Sequence, residues 1–159
     1  MSYLALKWLH LVGAAILFGT GIGIAFFAWF GYRRGMREGD IGLVRGVLHL
    51  TVRADTLFTA IAVALQPVTG WFLWRQTGGH WPDRWLAWVL ALYLVVGACW
   101  LPVVVLQIRL RDAALAADSV GALDARFHAR FRLWFALGVP GFFGVLALFA
   151  LMLARGHFA

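Results

Sequence analysis

Four long apolar segments without a charged side chain dominate the pattern of this sequence. They lie within four pairs of charged residues: Lys7 and Arg33, Asp55 and Arg75, Arg84 and Arg109, Arg132 and Arg155. The segments hold about 25, 19, 24 and 22 residues, and a helix of about 20 residues crosses the ~30 Å hydrocarbon core of a bilayer. The pattern therefore predicts four transmembrane helices, at about residues 4–31, 41–75, 84–111 and 120–155.

Apolar positions at helical spacing continue beyond two of the membrane segments. The first set is Ile41, Val44, Leu48 and Thr51, and the second is Leu123, Phe127 and Phe131. Gly39-Asp40 and Asp118-Ser119 are predicted helix starts, and Gly78-Gly79 with Trp81-Pro82 marks a turn. Since little chain remains outside the predicted helices and no second domain is evident, we predict one all-α domain over residues 1–159, an antiparallel four-helix bundle whose helices extend past the membrane on one side.

Arginine is concentrated in two of the three connections between the predicted helices. These connections hold Arg33, Arg34, Arg37, Arg45, Arg53, Arg109, Arg111, Arg126, Arg130 and Arg132. Because cytoplasmic connections carry the excess of Lys and Arg, we predict that both face the cytoplasm and that both termini are external. Six tryptophans lie toward the predicted external side, as interfacial rings do: Trp8, Trp71, Trp74, Trp81, Trp85 and Trp88. The predicted location is the bacterial inner membrane.

Composition narrows the class of protein further. Hydrophobic residues make up 63% of the chain and charged residues 13%, which leaves too little polar surface for a soluble fold of this size. The formal net charge of +7 comes from arginines that flank apolar segments, so we expect membrane lipids rather than nucleic acid as its partner. The single cysteine, Cys99, excludes a disulfide framework and a cysteine-rich metal site.

One histidine, His10, lies inside a predicted membrane helix. An ionisable side chain at such a depth needs a hydrogen-bond partner or a ligand, and it is a candidate functional residue for that reason. Imidazole is a common axial ligand of haem iron. The alternative interpretation is a neutral histidine that hydrogen-bonds to a neighbouring helix.

The face of the first helix that contains His10 is lined mostly by residues with small side chains. It consists of Gly13, Ala14, Leu17, Gly21, Ala25 and Ala28. Small residues allow a neighbouring helix to approach closely, and they would equally leave room for a flat macrocycle. Both interpretations stay open from the sequence.

Polar side chains on other helices fall near the predicted depth of His10. Gln66, Thr69 and Tyr93 lie within about two helical turns of it, and Pro67 frees a backbone carbonyl beside Gln66. They could line a cavity with His10, or each could hydrogen-bond between helices as packing contacts. Asp55 lies at the predicted cytoplasmic boundary near Arg53, where we expect a surface ion pair or a helix-end charge rather than a proton relay.

The remaining histidines suggest weaker alternatives. His80 and His157 lie on the same predicted side as His10, and three imidazoles there would suit copper or zinc. His49 and His128 lie on the opposite side and could form a bis-histidine haem site. No close sequence spacing supports either arrangement, so we expect His80 to be exposed in its turn and His49 and His128 to lie on solvated helix faces.

Two distant resemblances involve the ends of the chain. Lys7-Trp8-Leu9-His10 resembles the Lys-x-x-His start of the haem-containing bacterial protoporphyrinogen oxidase family and, more loosely, copper-resistance protein D. The segment Phe131 to Trp134 with Pro140 resembles the last helix of that oxidase family.

A closer resemblance covers nearly the whole chain. The sequence resembles an uncharacterised bacterial family of predicted integral membrane proteins, domain of unknown function 2269. The stretches that carry it are Lys7 to His10, Asp55 to Phe58, Gln66-Pro67 with Thr69-Gly70, Trp100 to Pro102 with Gln107, and Arg132 to Pro140. This resemblance implies a membrane fold and no particular function.

The oxidase resemblance implies haem b, with His10 as the iron ligand. The predicted cofactor site contains Gly13, Gln66 and Tyr93 around His10, and Lys7, Arg75 and Arg155 as cationic partners for propionates. The oxidase family has an Asn-Glu pair before the last-helix proline, where this chain has apolar residues 135–139, and a later lysine, whereas Lys7 is the only lysine here. The resemblance therefore extends to haem binding and not to the mechanism of porphyrinogen oxidation.

Two classes of function follow. One is a membrane haem protein that exchanges electrons with quinone, oxygen or another membrane redox protein. The other is a non-enzymatic accessory or assembly subunit, whose small-residue faces pack in a homo- or hetero-oligomer. A copper transporter fits less well, because Met1, Met36 and Met152 lie too near the helix ends for a thioether path.

Overall fold

The computed structural model describes residues 2–157, and the side chains of residues 2–155. In chain order the elements are α1 (Tyr3–Glu38), α2 (Ile41–Ala54), a π-helix (Asp55–Thr59), α3 (Ala60–Gln76), α4 (Arg84–Ala116), a 3-10 turn (Val120–Ala122), α5 (Ala125–Leu153) and a second 3-10 turn (Ala154–His157). Because α2, the π-helix and α3 follow one another without a break, they form one long helix, Ile41–Gln76.

Four helices in the described chain are long and apolar enough to cross a membrane. They contain 36, 36, 33 and 29 residues, and at ~1.5 Å per residue even the shortest exceeds the ~30 Å hydrocarbon core. The protein is thus an all-α, multi-pass membrane helical bundle, as the apolar pattern predicted.

Side-chain contacts at both ends of the bundle show that successive helices run antiparallel. At one end, Trp74 of α3 donates to Asp83 before α4, and Trp85 of α4 donates to the carbonyl of Leu151 in α5. We call this end, at which α1 begins and α5 finishes, the terminal end. At the other end, Arg45 of α2 donates to the carbonyl of Ala114 in α4 at 3.0 Å. This second end carries the arginine-rich connections, and we call it the arginine-rich end.

Aromatic rings close the bundle between α1 and α5. Ring centroids lie 4.0 Å apart for Tyr32 and Phe131, and 5.3 Å apart for Phe18 and Phe142. Since large rings fill the space, the two backbones stay farther apart than those of α1 and α2. The four helices therefore surround a common interior.

Two clusters of buried apolar side chains hold the helices together. The larger cluster lies at the arginine-rich end and contains Ala28, Val44, Leu48, Leu110, Ala114, Ala117, Leu123, Phe127, Phe131 and Trp134. The smaller cluster lies at the terminal end and contains Trp74, Trp85, Leu86, Val89 and Leu148. Val44, Leu48, Phe127 and Phe131, which the sequence placed at helical spacing, are buried in this larger cluster. Buried polar side chains lie between the two clusters.

The ends of several helices differ from the predicted bounds. α1 and α4 continue to Glu38 and Ala116, well past the charges that end their apolar segments, because side chains in these extensions pack into the larger cluster. The prediction that Asp118-Ser119 starts the last helix is wrong. The helix starts at Ala125, where Asp124 caps it by accepting from the Phe127 amide at 2.8 Å. Gly39-Asp40 is confirmed as a helix start, since Gly39 has a positive φ of 72° and Asp40 is the N-cap of α2.

A pair of glycine substitutions tests the close packing of α1 on α2. A Cβ atom at Gly35 would lie 2.6 Å from Val44 Cγ2 and 2.8 Å from the Asp40 carbonyl oxygen. The backbone oxygen cannot give way, so Gly35→Ala should destabilise the protein by about 1 to 3 kcal/mol. A Cβ at Gly46 would meet nothing within 4 Å, and Gly46→Ala should be stabilising by up to about 1 kcal/mol through helix propensity. Thermal unfolding in detergent would measure both, and equal stability of the two variants would contradict this packing.

The turn at the terminal end should respond to acid. Asp83 accepts from Trp74 Nε1 at 2.7 Å and from the Leu86 amide at 3.1 Å, and the Trp74 indole is the main cause that lowers the pKa of this carboxyl below its ordinary 3.8. A lowered pKa stabilises the fold above the ordinary value, and this contribution is lost as pH falls through the folded pKa. We expect a local change in tryptophan near-ultraviolet circular dichroism below about pH 4. Asp83→Asn should abolish it, and an unchanged acid transition in this variant would contradict the assignment.

Candidate functional site

The imidazole of His10 is held by α3. His10 Nδ1 lies 2.7 Å from the Thr69 hydroxyl oxygen. The same hydroxyl oxygen lies 2.7 Å from the Leu65 carbonyl oxygen, so the single hydroxyl proton of Thr69 can go to either partner. The tautomer with its proton on Nδ1 uses the hydroxyl oxygen as acceptor and leaves the Nε2 lone pair free. Nε2 forms no hydrogen bond with the described residues, and the side chain is only half-buried.

Two glycines allow this contact between α1 and α3. A Cβ at Gly13 would lie 2.7 Å from Gln66 Nε2, and a Cβ at Gly70 would lie 3.3 Å from His10 Cε1. Gln66 uses the space at Gly13 to donate to the His10 backbone carbonyl at 3.0 Å. We call His10, Gly13, Gln66, Thr69 and Gly70 the His10 cluster. Of the two interpretations of the small-residue face, the close approach of a neighbouring helix applies at Gly13, because the Gln66 amide occupies the space beside it.

Tyr93 is bonded to the backbone of α3 and not to the His10 cluster. Its hydroxyl donates to the carbonyl of Val63. This carbonyl has no partner in its own helix, since Pro67, four residues later, has no N–H. Pro67 thus frees a carbonyl as predicted, and Tyr93 binds it across the helix interface. The structure accounts for Tyr93 as a packing contact.

The cationic side chains predicted around the cofactor differ in their surroundings. Lys7 and Arg75 are exposed, and neither forms an ion pair with the described residues. Lys7 Nζ lies 5.8 Å from the centroid of the Tyr3 ring. Arg155 instead packs on the Trp85 ring, with Cζ 4.9 Å from its centroid, and so it lies on the α4–α5 side of the bundle.

The other histidines do not join His10 among the described side chains. His80 is exposed in the turn, and His128 is bonded through Nδ1 to the Tyr32 hydroxyl at 2.7 Å. His128 therefore has a partner inside the bundle, rather than only the solvated face that the sequence suggested. The side chain of His157 lies outside the described residues. Within the described part, no three His, Cys, Asp or Glu side chains are grouped so as to hold a metal ion.

A second polar cluster surrounds Asp55, nearer to the arginine-rich end. Asp55 is 6% exposed. Its Oδ2 accepts from Gln107 Nε2 at 2.6 Å, and its Oδ1 accepts from Trp100 Nε1 at 3.2 Å. No described Lys, Arg or His lies within ion-pair distance of it. The expectation of a surface ion pair or helix-end charge at Asp55 is therefore wrong, since the residue lies within a continuous helix and faces α4.

Trp134 of α5 fixes the orientation of the Gln107 amide. An indole N–H can only donate, and Trp134 Nε1 lies 3.4 Å from Gln107 Oε1. The oxygen of the amide therefore faces Trp134 and its NH2 group faces Asp55. We call Asp55, Trp100, Gln107 and Trp134 the Asp55 cluster. Its hydrogen bonds connect the π-helix to α4 and α4 to α5.

Comparison with known families agrees with this architecture. The family model described as Predicted integral membrane protein (DUF2269) matches residues 4–156, which is nearly the whole chain. The protein belongs to the DUF2269 family. No curated protein and no solved structure matches it. Membership in DUF2269 establishes an integral membrane protein, and its description assigns no activity or cofactor.

The sequence of this DUF2269 protein contains a signal for the Asp55 cluster. It becomes visible when the helical spacing of buried positions in α2 is continued to Asp55. Val44, Leu48 and Thr51 are all buried, and Asp55 follows Thr51 by four residues on the same helical face. On α4, Gln107 follows Trp100 by seven residues and so lies two turns away on one face. The pattern thus places Asp55 on a buried face and Gln107 in line with Trp100, although it cannot show that the two faces meet.

Proposed function

We propose that this DUF2269 protein binds haem b through His10 Nε2 and takes part in electron transfer within the membrane. The observation that carries the proposal is the hydrogen bond between His10 Nδ1 and Thr69. Histidines that bind metals almost always donate the second ring N–H to an oxygen, which fixes the tautomer and the ring orientation. Thr69 offers such an oxygen 2.7 Å from His10 Nδ1, and in that tautomer the Nε2 lone pair is free to bind iron.

The residues of the terminal end fit this cofactor in part. Thr69 and Gly70 would orient the imidazole, and the exposed Lys7 and Arg75 would provide cations for the propionates. Gly13 and Gln66 are bonded or packed within the helix interface, so they would support His10 rather than contact the macrocycle. Bound haem would supply one-electron redox chemistry at its iron, with quinone or another membrane redox protein as the electron partner.

An absorption spectrum tests the proposal. Protein expressed with ample haem and purified in detergent should show a Soret band and, after dithionite reduction, b-type peaks. His10→Ala should remove these bands, and the matched variant His80→Ala, at an exposed histidine, should retain them. Thr69→Val should weaken haem binding by about 10- to 100-fold, since it removes the acceptor for Nδ1. A folded but colourless wild type, or full colour in His10→Ala, would exclude this function.

The second candidate function is an accessory subunit of a larger membrane complex. It is favoured by the open surface at Gly19, Gly21 and Gly23 of α1, where an added Cβ would meet nothing within 4 Å. Gly19 and Gly23 have the spacing at which membrane helices approach one another closely. This function predicts a colourless protein whose copurification with a partner is lost in Gly19→Leu, whereas Gly97→Leu, at another open glycine, should retain it.

A further inference from the structure

The carboxyl group of Asp55 lacks a cationic partner although it is buried in a membrane protein. Bringing a carboxylate out of water costs several kcal/mol unless hydrogen bonds or an opposite charge compensate it. Both oxygens accept from neutral donors, the indole of Trp100 and the amide of Gln107. These donors suit the ionised form, because each points an N–H group at an oxygen.

The charged side chains nearest to this cluster along the chain form no ion pair with Asp55 in the described structure. Arg53 lies on the helix of Asp55, Cys99 and Arg109 on α4, and Arg132 on α5. None of these three arginines forms an ion pair with Asp55. On α1, which also packs against the π-helix, no side chain between His10 and Tyr32 titrates. Asp55 is thus the one carboxyl group between the two apolar clusters of the described chain.

The local backbone marks the same place independently. Asp55 is the first residue of a π-helix of five residues, and single π-turns inside α-helices occur frequently at functional sites. Thr59, at the other end of this π-helix, has a buried hydroxyl oxygen without a hydrogen-bond partner in the described chain. Buried polar atoms are rarely left unpaired. The Thr59 hydroxyl is therefore a hydrogen-bonding group that the observed packing does not use.

We propose that Asp55 is a proton-binding site, which takes up a proton from the arginine-rich side and releases it there. A proton is the cation that fits, because the carboxyl is 6% exposed and both its oxygens face N–H groups. A metal ion would need oxygen ligands in their place. This site is independent of haem binding at His10.

Proton uptake changes the hydrogen bonds of the cluster in a defined way. The carboxylate and one proton form a neutral carboxyl group, whose O–H needs an acceptor. Trp100 cannot accept, and Gln107 can accept only if its amide rotates, which turns its NH2 group towards Trp134 and breaks that bond. Protonation of Asp55 therefore weakens a contact between α4 and either the π-helix or α5.

Infrared difference spectroscopy of the full chain in lipid nanodiscs tests this proposal. Between about pH 9 and about pH 4, a range that includes the ordinary imidazole value and reaches down to the ordinary carboxyl values near 4, the wild type should gain a protonated-carboxyl C=O band that shifts in D2O. Asp55→Asn should lose this band. Asp112→Asn should keep it, since Asp112 is exposed and paired with Arg111. Identical difference spectra for wild type and Asp55→Asn would overturn the proposal.

A second variant guards against a failure of Asp55→Asn to fold. Trp100→Phe removes one donor to the carboxyl but keeps Asp55, so the band should remain and move to higher frequency. A band at the wild-type position in Trp100→Phe would show that the signal does not come from Asp55. Over the same pH range, ultraviolet resonance Raman spectra should report weaker indole N–H bonding, and an unchanged indole signal would exclude the proposed rearrangement.

Discussion

Replacing Gln107 by leucine should lower the free energy of unfolding by about 3 kcal/mol. The substitution leaves two buried groups without partners, Oδ2 of Asp55 and Nε1 of Trp134. Gln107 is 2% exposed, so water cannot replace the lost amide. A carboxylate that loses a donor in a buried site is destabilised more than a neutral group would be. Unfolding by SDS titration in mixed micelles would measure the change.

The control for this experiment is the same substitution at an exposed position. Gln76 is the last residue of α3, and its side chain is exposed, so Gln76→Leu should change stability by less than about 0.5 kcal/mol. In the double variant Asp55→Leu/Gln107→Leu, the loss should be smaller than the sum of the two single losses, because both partners of the bond are gone. Additive losses would show that the Asp55–Gln107 bond contributes nothing to stability.

Phe131→Ala should be destabilising by about 4 kcal/mol. The ring is 1% exposed and stacks on Tyr32 of α1 with centroids 4.0 Å apart. It also lies 5.7 Å from Trp134. Removing it leaves a cavity in the larger apolar cluster and opens the contact between α1 and α5. The lost dispersion contacts are not replaced, since the surrounding helices are already fixed by other contacts.

A phenylalanine that faces outwards on the same helix provides the comparison. Phe143 is 62% exposed, so lipid replaces much of what its ring contacts. Phe143→Ala should therefore cost less than about 1 kcal/mol. Thermal unfolding of both variants in the same detergent would compare them directly, and equal losses would mean that α5 does not contribute Phe131 to a packed core.

The candidate sites differ in how far the sequence predicted them. His10 stood out because an ionisable side chain interrupted an apolar segment, and Gln66 and Thr69 lay at a matching depth. The sequence could not identify Thr69 as the hydrogen-bond partner of His10. The depth of a residue in the membrane does not determine the rotation of its helix about the helix axis. Tyr93 lay at a similar depth, yet its hydroxyl binds the Val63 carbonyl that Pro67 leaves free.

Asp55 shows the opposite case, in which the sequence was informative and the interpretation was wrong. Its distance from the middle of the apolar segment suggested a surface charge. By helical periodicity, however, Asp55 lies on the same buried face of the helix as Val44. The long helix continues past the membrane boundary, so a residue at the edge of an apolar segment lies inside the bundle.

Local patterns determined the number, type and approximate position of the membrane helices, because a bilayer requires long apolar segments whose backbone bonds are satisfied internally. They also determined the helix start at Gly39-Asp40. Only the tertiary structure decided which polar groups meet, since this depends on the rotation and separation of helices that are far apart in sequence. The contact of His10 Nδ1 with Thr69, the amide orientation of Gln107 and the absence of an ion pair at Asp55 in the described chain all follow from that packing.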